Sequence, residues 1–448
     1  MPVQIKINPE KKYQTMEGFG ASAAWWAQVV GGWPEEERRE VLKLLYDKNE
    51  GLGMNTYRYN MGSGSKESGK GNFPNKNRRT WDFLKPDGSY DWGRDAEAVW
   101  CMKEAVRLGA EEIVLFVNSP PERWTRSGTA QGRLTALANL RRDCEGDFVR
   151  YVLDVAEHFL AEGIPVKFIS PINEPFGPWI EKAGQEGCHY HPSGVRRLFR
   201  LFAGEMDKRP ALEGVLLSGA ENNDLRLMNK TYTRAVLDDP VIARRLDGID
   251  VHDYVFGPLK FVKGSKRRFR KYMDKKYAGE KIRMSEWTHM QGGRYYGMSS
   301  ALEQAKMMWE DLSVMDAVSW QCWIAVSEVD FCDGLLYIDE ETHAVSIPKR
   351  YWAMGNFSKF VPRGAVRVEA ECGSPALKCL AFQTPGQRIV IVINPKGDAV
   401  RVSLGEGRGG IYITSGNKSL TRQEIDLAGF TIEGDSVNTI VFTPSVTA

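Results

Sequence analysis

The chain repeats one pattern eight times: a short run rich in β-branched and aromatic residues is followed by a stretch with the spacing of an amphipathic helix. In PEEERREVLKLLYD, for example, Pro34 opens a helix in which Val41, Leu42 and Leu45 share one face. The predicted strands span residues 16–22, 54–60, 112–118, 166–172, 214–220, 248–254, 281–286 and 317–323. Crossover helices between parallel strands give this alternation, and eight such units close into a barrel more economically than into an open sheet. The sequence therefore predicts an α/β fold, a (β/α)8 TIM barrel.

A different pattern begins at about Val361, where short alternating runs are separated by Gly, Pro, Asn and Asp. That spacing predicts a small antiparallel β-sandwich. The segment VQIKIN near the N-terminus alternates likewise and is a candidate to add a strand to this sandwich. We predict a barrel at 12–360 and a sandwich at 361–448 together with 1–11. All thirteen tryptophans precede residue 361, so we expect the ligand site in the barrel.

The composition excludes a global preference for nucleic acid or for an anionic membrane, because 60 basic and 58 acidic residues leave a net charge of +2. No apolar run is long enough for a signal peptide or a membrane span. The seven cysteines are odd in number and form no CxxC pair, which indicates reduced thiols. We predict a monomer without nucleic-acid or membrane partners. Its predicted location is the cytoplasm for the chain as written, or secretion if a signal peptide has been removed.

Two carboxylates end strands of the predicted barrel, where the catalytic residues of such barrels sit. Glu174 follows the fourth strand in SPINEPFG, and Glu286 ends the seventh in MSEWTH. Acids three strands apart face each other across the barrel mouth. Such a pair suits glycoside hydrolysis, because one acid protonates the leaving oxygen while the other attacks or orients water. Any single glutamate is usually an ordinary exposed side chain, but the joint placement favours the functional interpretation.

Four motifs in this order carry a resemblance to a known family: GFGASAAWW, INEP, GIDVHDY and MSEW. Over nearly its whole length the chain resembles glycoside hydrolase family 30, a retaining family of the clan A β-glycosidases. The resemblance implies that Glu174 is the general acid/base and that Glu286 is the nucleophile. The substrate would be an oligo- or polysaccharide, and no cofactor or metal would be needed.

The resemblance also implies roles for the neighbours of the two glutamates. Asn173 would bind the sugar hydroxyl next to the anomeric carbon, and Trp323 would form a wall of the sugar subsite. Arg58 would hold Glu286 ionised by its charge, and Tyr254 would donate a hydrogen bond to the same carboxylate. Four further side chains lie in or near predicted mouth loops and are predicted to contact sugar: Trp124, Trp179, His191 and Trp287.

Asn118 bears on the choice of substrate. Many relatives carry Trp just before the SPP-like motif after the third strand, whereas this chain reads FVNSPPERW. A smaller polar side chain there makes room for, or hydrogen-bonds, an axial hydroxyl such as that of galactose. In this the chain is similar to the endo-β-1,6-galactanase branch, so we predict β-1,6-galactan or a related β-galactoside polymer as substrate. The alternatives are a xylan, glucuronoxylan or β-glucoside hydrolase of the same family, and a carbohydrate-binding barrel without catalysis, although such barrels typically lose one of the carboxylates.

Other motifs have weaker functional interpretations. GSGSKESGKG nearly spells a phosphate-binding loop but lacks Ser or Thr after Lys70, and GCHYHP groups Cys188 and two histidines without a further ligand pair. The basic segment 263–276 is more typical of a solvated helix than of a nucleic-acid site. QGGR at 291–294 would suit a phosphosugar site, but no matching glycine-rich loop follows the eighth strand.

Overall fold

A computed structural model describes residues 1–134, 137–254 and 263–444. The strands are β1 (Val3–Thr15), β2 (Gly18–Ser22), β3 (Thr56–Met61), β4 (Glu112–Val117), β5 (Val166–Ser170), β6 (Leu216–Leu217), β7 (Ala220–Asn222), β8 (Ile249–His252), β9 (Ile282–Trp287), β10 (Ser319–Cys322), β11 (Ile324–Ser327), β12 (Gly334–Ile338), β13 (Val345–Ser346), β14 (Val366–Cys372), β15 (Lys378–Thr384), β16 (Gln387–Asn394), β17 (Val400–Ser403), β18 (Arg408–Thr414), β19 (Thr421–Asp426), β20 (Phe430–Ile432) and β21 (Ser436–Phe442). The α-helices are α1 (Trp26–Val30), α2 (Glu35–Tyr46), α3 (Ser65–Ser68), α4 (Ala96–Leu108), α5 (Glu145–Ala161), α6 (Pro192–Met206), α7 (Asn229–Leu237), α8 (Pro240–Ala243), α9 (Ser265–Lys276), α10 (Met298–Ser313) and α11 (Lys349–Ser358).

The barrel is a parallel sheet in the order β6-β5-β4-β3-β2-β10-β9-β8-β7. β6 and β7 are two pieces of the fifth predicted strand, interrupted at Ser218 and Gly219. The Ser218 N–H donates to the Ile169 carbonyl on β5, and the Gly219 carbonyl accepts from the Asp250 N–H on β8. The interruption is therefore bonded on both sides, the sheet closes, and the predicted (β/α)8 barrel is confirmed.

The helices follow the strands because each has one apolar stripe to bury. In α2 the residues Val41, Leu42, Leu45 and Tyr46 are buried, and three glutamates occupy the first turn, where the helix dipole favours negative charge. The basic segment forms α9, in which Phe269 and Met273 face the core while most of its lysines and arginines are exposed. The prediction of a solvated helix there is confirmed.

The C-terminal strands build a β-sandwich in the order β19-β18-β21-β16-β15-β14-β1-β17-β20. β1 pairs with β14 in antiparallel fashion from Ile5↔Cys372 to Thr15↔Val366, and with β17 in parallel. The predicted sandwich and its N-terminal strand are confirmed, while the division at 12 and 361 stays a prediction. Barrel helices hold the sandwich in place, since the Trp309 indole N–H on α10 donates to the Cys379 carbonyl on β15.

All seven cysteines are free thiols, and five of them are buried. Within the described residues, no helix combines the length and the apolar character needed to cross a bilayer.

Candidate active site

The fourth barrel strand delivers Glu174 to the mouth in an unusual backbone conformation. β5 ends at Ser170, and Glu174 has a φ of 44°, in the left-handed region that side chains other than glycine seldom occupy. Its N–H donates to the Glu221 carbonyl at 3.0 Å, and its own carbonyl accepts the Trp179 indole N–H at 2.8 Å. Backbone strain persists where neighbouring bonds over-determine it, as these two do.

The seventh strand brings Glu286 to the same point. One carboxyl oxygen of Glu174, one of Glu286 and one ring nitrogen of His252 all lie within 4.8 Å of one another. Both glutamates are buried, at 7% and 4% exposure. Retaining glycosidases hold their two carboxyl groups about 5–5.5 Å apart and inverting ones about 6.5–9.5 Å apart, so oxygens within 4.8 Å of each other favour the shorter arrangement.

Glu286 is held by two donors that Glu174 lacks. The Arg58 Nη1 donates to Glu286 Oε2 at 2.7 Å, and the Tyr254 hydroxyl donates to Oε1 at 3.1 Å. Arg58 is fully buried in the middle of β3 with its guanidinium 3.8 Å from the centre of the Phe116 ring. A cation beside only one of two neighbouring carboxyl groups separates their proton affinities.

Burial acts on both glutamates, but the neighbours make the two differ. Burial raises the pKa of Glu286 to about 7, against the opposing charge of Arg58. Burial, followed by the charge of Glu286, raises the pKa of Glu174 well above its ordinary value. Near neutral pH the pair therefore holds one proton, and that proton sits on Glu174.

His252 lies between the two acids, and sequence reasoning missed it. Its Nδ1 is 3.0 Å from Glu174 Oε1 and 3.6 Å from Glu286 Oε1. Burial and the nearby charge of Arg58 lower its pKa well below the ordinary value, so the ring is neutral. His252 ends β8 within the quoted motif GIDVHDY, so the strand-end rule that singled out Glu174 was the available signal.

Glu221 was also missed, although it directly follows the fifth predicted strand. It is fully buried on β7, and its Oε2 accepts hydrogen bonds from Arg58 Nη2 at 3.1 Å and from the Ser170 hydroxyl. The guanidinium of Arg58 is thus shared between two carboxylates, Glu221 and Glu286.

A row of amides fixes the side chain of Asn173. Its Oδ1 accepts from Arg58 Nη2 at 2.9 Å, and its Nδ2 donates to Asn118 Oδ1 at 3.1 Å. Asn118 in turn donates to Asn60 Oδ1 at 3.2 Å. The predicted substrate residues Asn173 and Asn118 therefore lie in contact, and Asn60 is a further member that the sequence did not single out.

A cavity of about 560 Å³ opens over the two glutamates. It is lined by Asn173, Glu174, Gly177, Pro178, Trp179, Ala183, Gln185, Asn223, Tyr254, Glu286, Met290 and Trp323. Its wall is mainly apolar with a few convergent polar groups, which is the composition of a small-molecule or sugar site. The predicted wall residue Trp323 and the predicted stacking residue Trp179 both lie there.

Among the described residues, four predicted sugar contacts do not line this cavity, and one of them, Asn118, reaches it only through its bond to Asn173. Trp287 packs in the core with its ring 6.0 Å from that of Trp320, because successive residues of β9 point to opposite faces and Glu286 takes the inner one. The Trp124 ring packs against Tyr151 on α5 at 5.8 Å. His191 is exposed at the start of α6.

Glu174, His252 and Glu286 offer ligand atoms of the types that a metal ion uses. The positive charge that a metal ion would supply to Glu286 comes from Arg58, which lies against one of its oxygens. Tyr254 donates to the other oxygen. The neutral ring of His252 and a pair of acids with one proton suit acid/base chemistry. That chemistry differs from the chemistry of a metal site, so we assign no metal to these residues.

Comparisons with known proteins agree with this geometry. The model of O-Glycosyl hydrolase family 30 matches residues 2–238, and that of the Glycosyl hydrolase family 30 beta sandwich domain matches residues 364–440. An endo-beta-1,6-galactanase from Hypocrea rufa is 25% identical over 429 residues, covering 89% of this chain and 82% of that protein.

Two solved structures share the whole fold. A conserved exported protein from Bacteroides fragilis superposes with a TM-score of 0.89 at 24% identity, covering 98% of this chain and 100% of that one. The catalytic domain of xylanase C from Talaromyces cellulolyticus does so with a TM-score of 0.77 at 19% identity, covering 98% and 100%.

Proposed function

The chain belongs to glycoside hydrolase family 30 and is an O-glycosyl hydrolase, and from this premise we propose that it cleaves β-linked glycans by double displacement. Glu286 attacks the anomeric carbon as the nucleophile, and Glu174 donates the proton to the leaving oxygen. The observation that carries the proposal is the asymmetric pair, in which Arg58 lies 2.7 Å from Glu286 alone. Glu174 then removes a proton from water, the water oxygen bonds to the anomeric carbon as the bond to Glu286 breaks, and the sugar leaves with its β-configuration retained.

The surrounding residues support each step. Arg58 and Tyr254 bind the carboxylate of Glu286 and keep it aimed at the cavity. The rings of Trp323 and Trp179 line the cavity and offer apolar surfaces against which a pyranose would stack. Asn173, held by Arg58 and Asn118, presents its amide beside the glutamates, where a sugar hydroxyl next to the reacting carbon would be bound.

For the substrate we propose β-1,6-galactan or a related β-galactoside polymer. Two observations support it: the small amide of Asn118 accepts a hydrogen bond from Asn173 at 3.1 Å, and the Hypocrea rufa relative is an endo-beta-1,6-galactanase. A xylan, glucuronoxylan or β-glucoside is the second candidate, because a xylanase catalytic domain shares the fold and a mouse lysosomal acid glucosylceramidase is 21% identical over 430 residues.

The experiment compares the wild type with Glu286→Ala and Glu174→Ala on β-1,6-galactan, glucuronoxylan and aryl β-galactosides and β-glucosides. We expect Glu286→Ala to lose about 10⁴-fold or more in kcat. We expect Glu174→Ala to lose about 10²–10⁴-fold on the polymers. The matched control is Glu112→Gln, a buried glutamate on β4 paired with Arg363, which should keep wild-type activity.

Azide separates the two roles. On an activated aryl β-glycoside, azide added to Glu286→Ala should replace the missing nucleophile and give an α-glycosyl azide. Added to Glu174→Ala, it should intercept the covalent intermediate and give a β-glycosyl azide. Proton NMR of the first sugar released by the wild type should show the β-anomer. An α-anomer, or equal activity of Glu286→Ala and wild type, would contradict the proposal. Binding of glycans without cleavage by the wild type would instead favour a carbohydrate-binding barrel.

A further inference from the structure

We propose that Glu221 is a positioning residue for both catalytic glutamates, which acts on Glu286 through the charge of Arg58 and on Glu174 through its backbone. The inference rests on the proposed roles of Glu174 and Glu286. It assigns to a third buried carboxylate the task of setting the pH range in which the pair holds one proton.

Glu221 is connected to both halves of the site. Its Oε2 accepts from Arg58 Nη2 at 3.1 Å and from the Ser170 hydroxyl, and its carbonyl accepts the Glu174 N–H at 3.0 Å. The residue has a φ of 45°, and Glu174 has one of 44°, so the two residues joined by this bond share the left-handed conformation. A displacement of Glu221 would therefore move the acid/base residue as well as Arg58.

The positive charge of Arg58 is not available to Glu286 alone. One guanidinium serves two carboxylates, and the exposed fractions of the Arg58, Glu221 and Glu286 side chains are 0%, 0% and 5%. In so buried a place each negative charge is felt strongly by its neighbours. Arg58 remains charged although burial acts to lower its pKa, because Glu221 and Glu286 together raise it.

The negative charge of Glu221 reaches both members of the pair, and it raises the pKa of each, after burial and the other contributions. The other charged groups that face Glu221 are Asp250 on β8, Arg283 on β9, and Glu17 and Glu112 toward the opposite end of the barrel. The titratable groups that face the pair itself are His252 and Tyr254, with Cys322 on β10.

The inference follows from the charges at the site, where one cation, Arg58, faces the carboxylates of Glu221 and Glu286. The charge of Arg58 acts to lower the pKa of both glutamates, against the burial that raises it. A second carboxylate on Arg58 offsets part of that charge. Glu174 therefore keeps its proton to higher pH, while the direct bond from Arg58 still leaves Glu286 the first to ionise.

The test is the variant Glu221→Gln, which keeps an oxygen for Arg58 and Ser170 but removes the charge. We expect both limbs of the pH profile of kcat/KM on an aryl β-glycoside to move to lower pH, by about one unit. Glu221→Asp keeps the charge but moves it away from Arg58, so we expect a smaller shift in the same direction. Glu145→Gln, at a buried carboxylate on α5 paired with Arg197, should leave both limbs unmoved.

A second readout does not depend on the substrate. In protein labelled with ¹³C at the glutamate carboxyl carbon, the titrations of Glu174 and Glu286 are identified by their loss in Glu174→Gln and Glu286→Gln. Both should shift downward in Glu221→Gln. If no glycan is cleaved, the proposed function fails while these titrations still test Glu221. A folded Glu221 variant, Gln or Asp, in which neither titration nor either kinetic limb moves would overturn the inference, even if kcat falls.

Discussion

The imidazole Nδ1 of His252 lies 3.0 Å from Oε1 of Glu174, and both side chains are buried. The ring is neutral, since burial and the charge of Arg58 lower its pKa. A neutral partner lets Glu174 keep its proton, whereas a charged one would help to remove it. In the proposed mechanism, His252 would therefore support Glu174 in the step where a proton must reach the leaving oxygen.

Replacing His252 should accordingly matter most where the leaving group needs protonation. For His252→Ala we expect kcat/KM on a polysaccharide or alkyl glycoside to fall about 10- to 100-fold, the cost of one lost buried hydrogen bond. On an aryl glycoside with an acidic phenol the loss should be small. Rates for the two substrate classes with wild type and variant decide the matter. An equal loss on both would show that the ring serves Glu286 instead.

The pH profile of the wild type should rise through neutrality. Glu286 must be ionised to attack, and burial raises its pKa to about 7, so activity should increase as the pH rises through that value. At higher pH activity should fall again as Glu174 loses its proton. In Arg58→Met the loss of the cation should raise the pKa of Glu286 and move the acidic limb of the pH profile to higher pH. Arg350→Lys, at another fully buried arginine, is the control, and its limb should stay in place.

Asn118 should act through Asn173. In Asn118→Ala the Asn173 amide loses the acceptor that it has at 3.1 Å, so its orientation toward the sugar is no longer fixed. We expect kcat/KM to fall about 10-fold or more, in line with one unsatisfied buried donor. Asn60→Ala, one step further along the row, should cost less. Steady-state kinetics on galactosides and glucosides would measure both variants, and a larger effect of Asn60 would contradict this order.

Trp179 should position Glu174 as well as line the cavity. Trp179→Phe keeps the ring but loses the bond to the Glu174 carbonyl, so we expect kcat to fall about 3- to 10-fold with KM nearly unchanged. A Cβ at Gly187 would lie 2.4 Å from the indole, so Gly187→Ala should displace the ring and reproduce the loss. Trp179→Ala should raise KM too. A Phe variant with unchanged kcat would limit Trp179 to sugar contact.

Glu186 should make stability depend on pH. It accepts hydrogen bonds from Ser63, Ser65 and Thr80, yet burial raises its pKa from 4.5 to about 7. Its favourable contribution is thus complete below pH 4.5 and is lost as the pH rises to about 7. As the pH rises over that interval, the free energy of unfolding of Glu186→Gln should increase relative to that of the wild type by up to about 3 kcal/mol.

Urea unfolding at pH 5, 6, 7 and 8 measures the free energy of unfolding of both proteins. A difference between Glu186→Gln and wild type that stays the same at every pH would contradict the prediction. Glu17→Gln is the matched control of opposite sign. Although burial acts to raise the pKa of Glu17, Arg283 and Lys281 hold it below its ordinary value. The carboxylate is ionised throughout that range, so the cost of this substitution should not change with pH.

Much of the fold could be predicted because it depends on periodicity. The alternation of apolar strand and amphipathic helix predicted all eight barrel strands, and the change near Val361 predicted the sandwich. What alternation does not contain is the break of the fifth strand at Ser218 and Gly219. That break depends on bonds to β5 and β8, which are distant in sequence.

The residues of the candidate site also fall into those that the sequence could place and those that it could not. The rule that strand ends meet at the barrel mouth was enough to place Glu174 and Glu286 together, whereas Arg58 and Tyr254 were expected beside Glu286 from the family resemblance. It was not enough for Trp287, because adjacent residues of a strand point to opposite faces and a one-residue step separates cavity from core.

By itself, the sequence determined the eight-unit barrel, the sandwich that β1 joins, and the pair of strand-end glutamates, since each follows from local pattern and order along the chain. Only the tertiary structure decided that one guanidinium serves Glu286, Asn173 and Glu221, and that His252 lies between the acids. The reason is physical. Proton affinity in a buried site depends on distances of a few ångströms between residues from different strands, and such distances exist only once the barrel has closed.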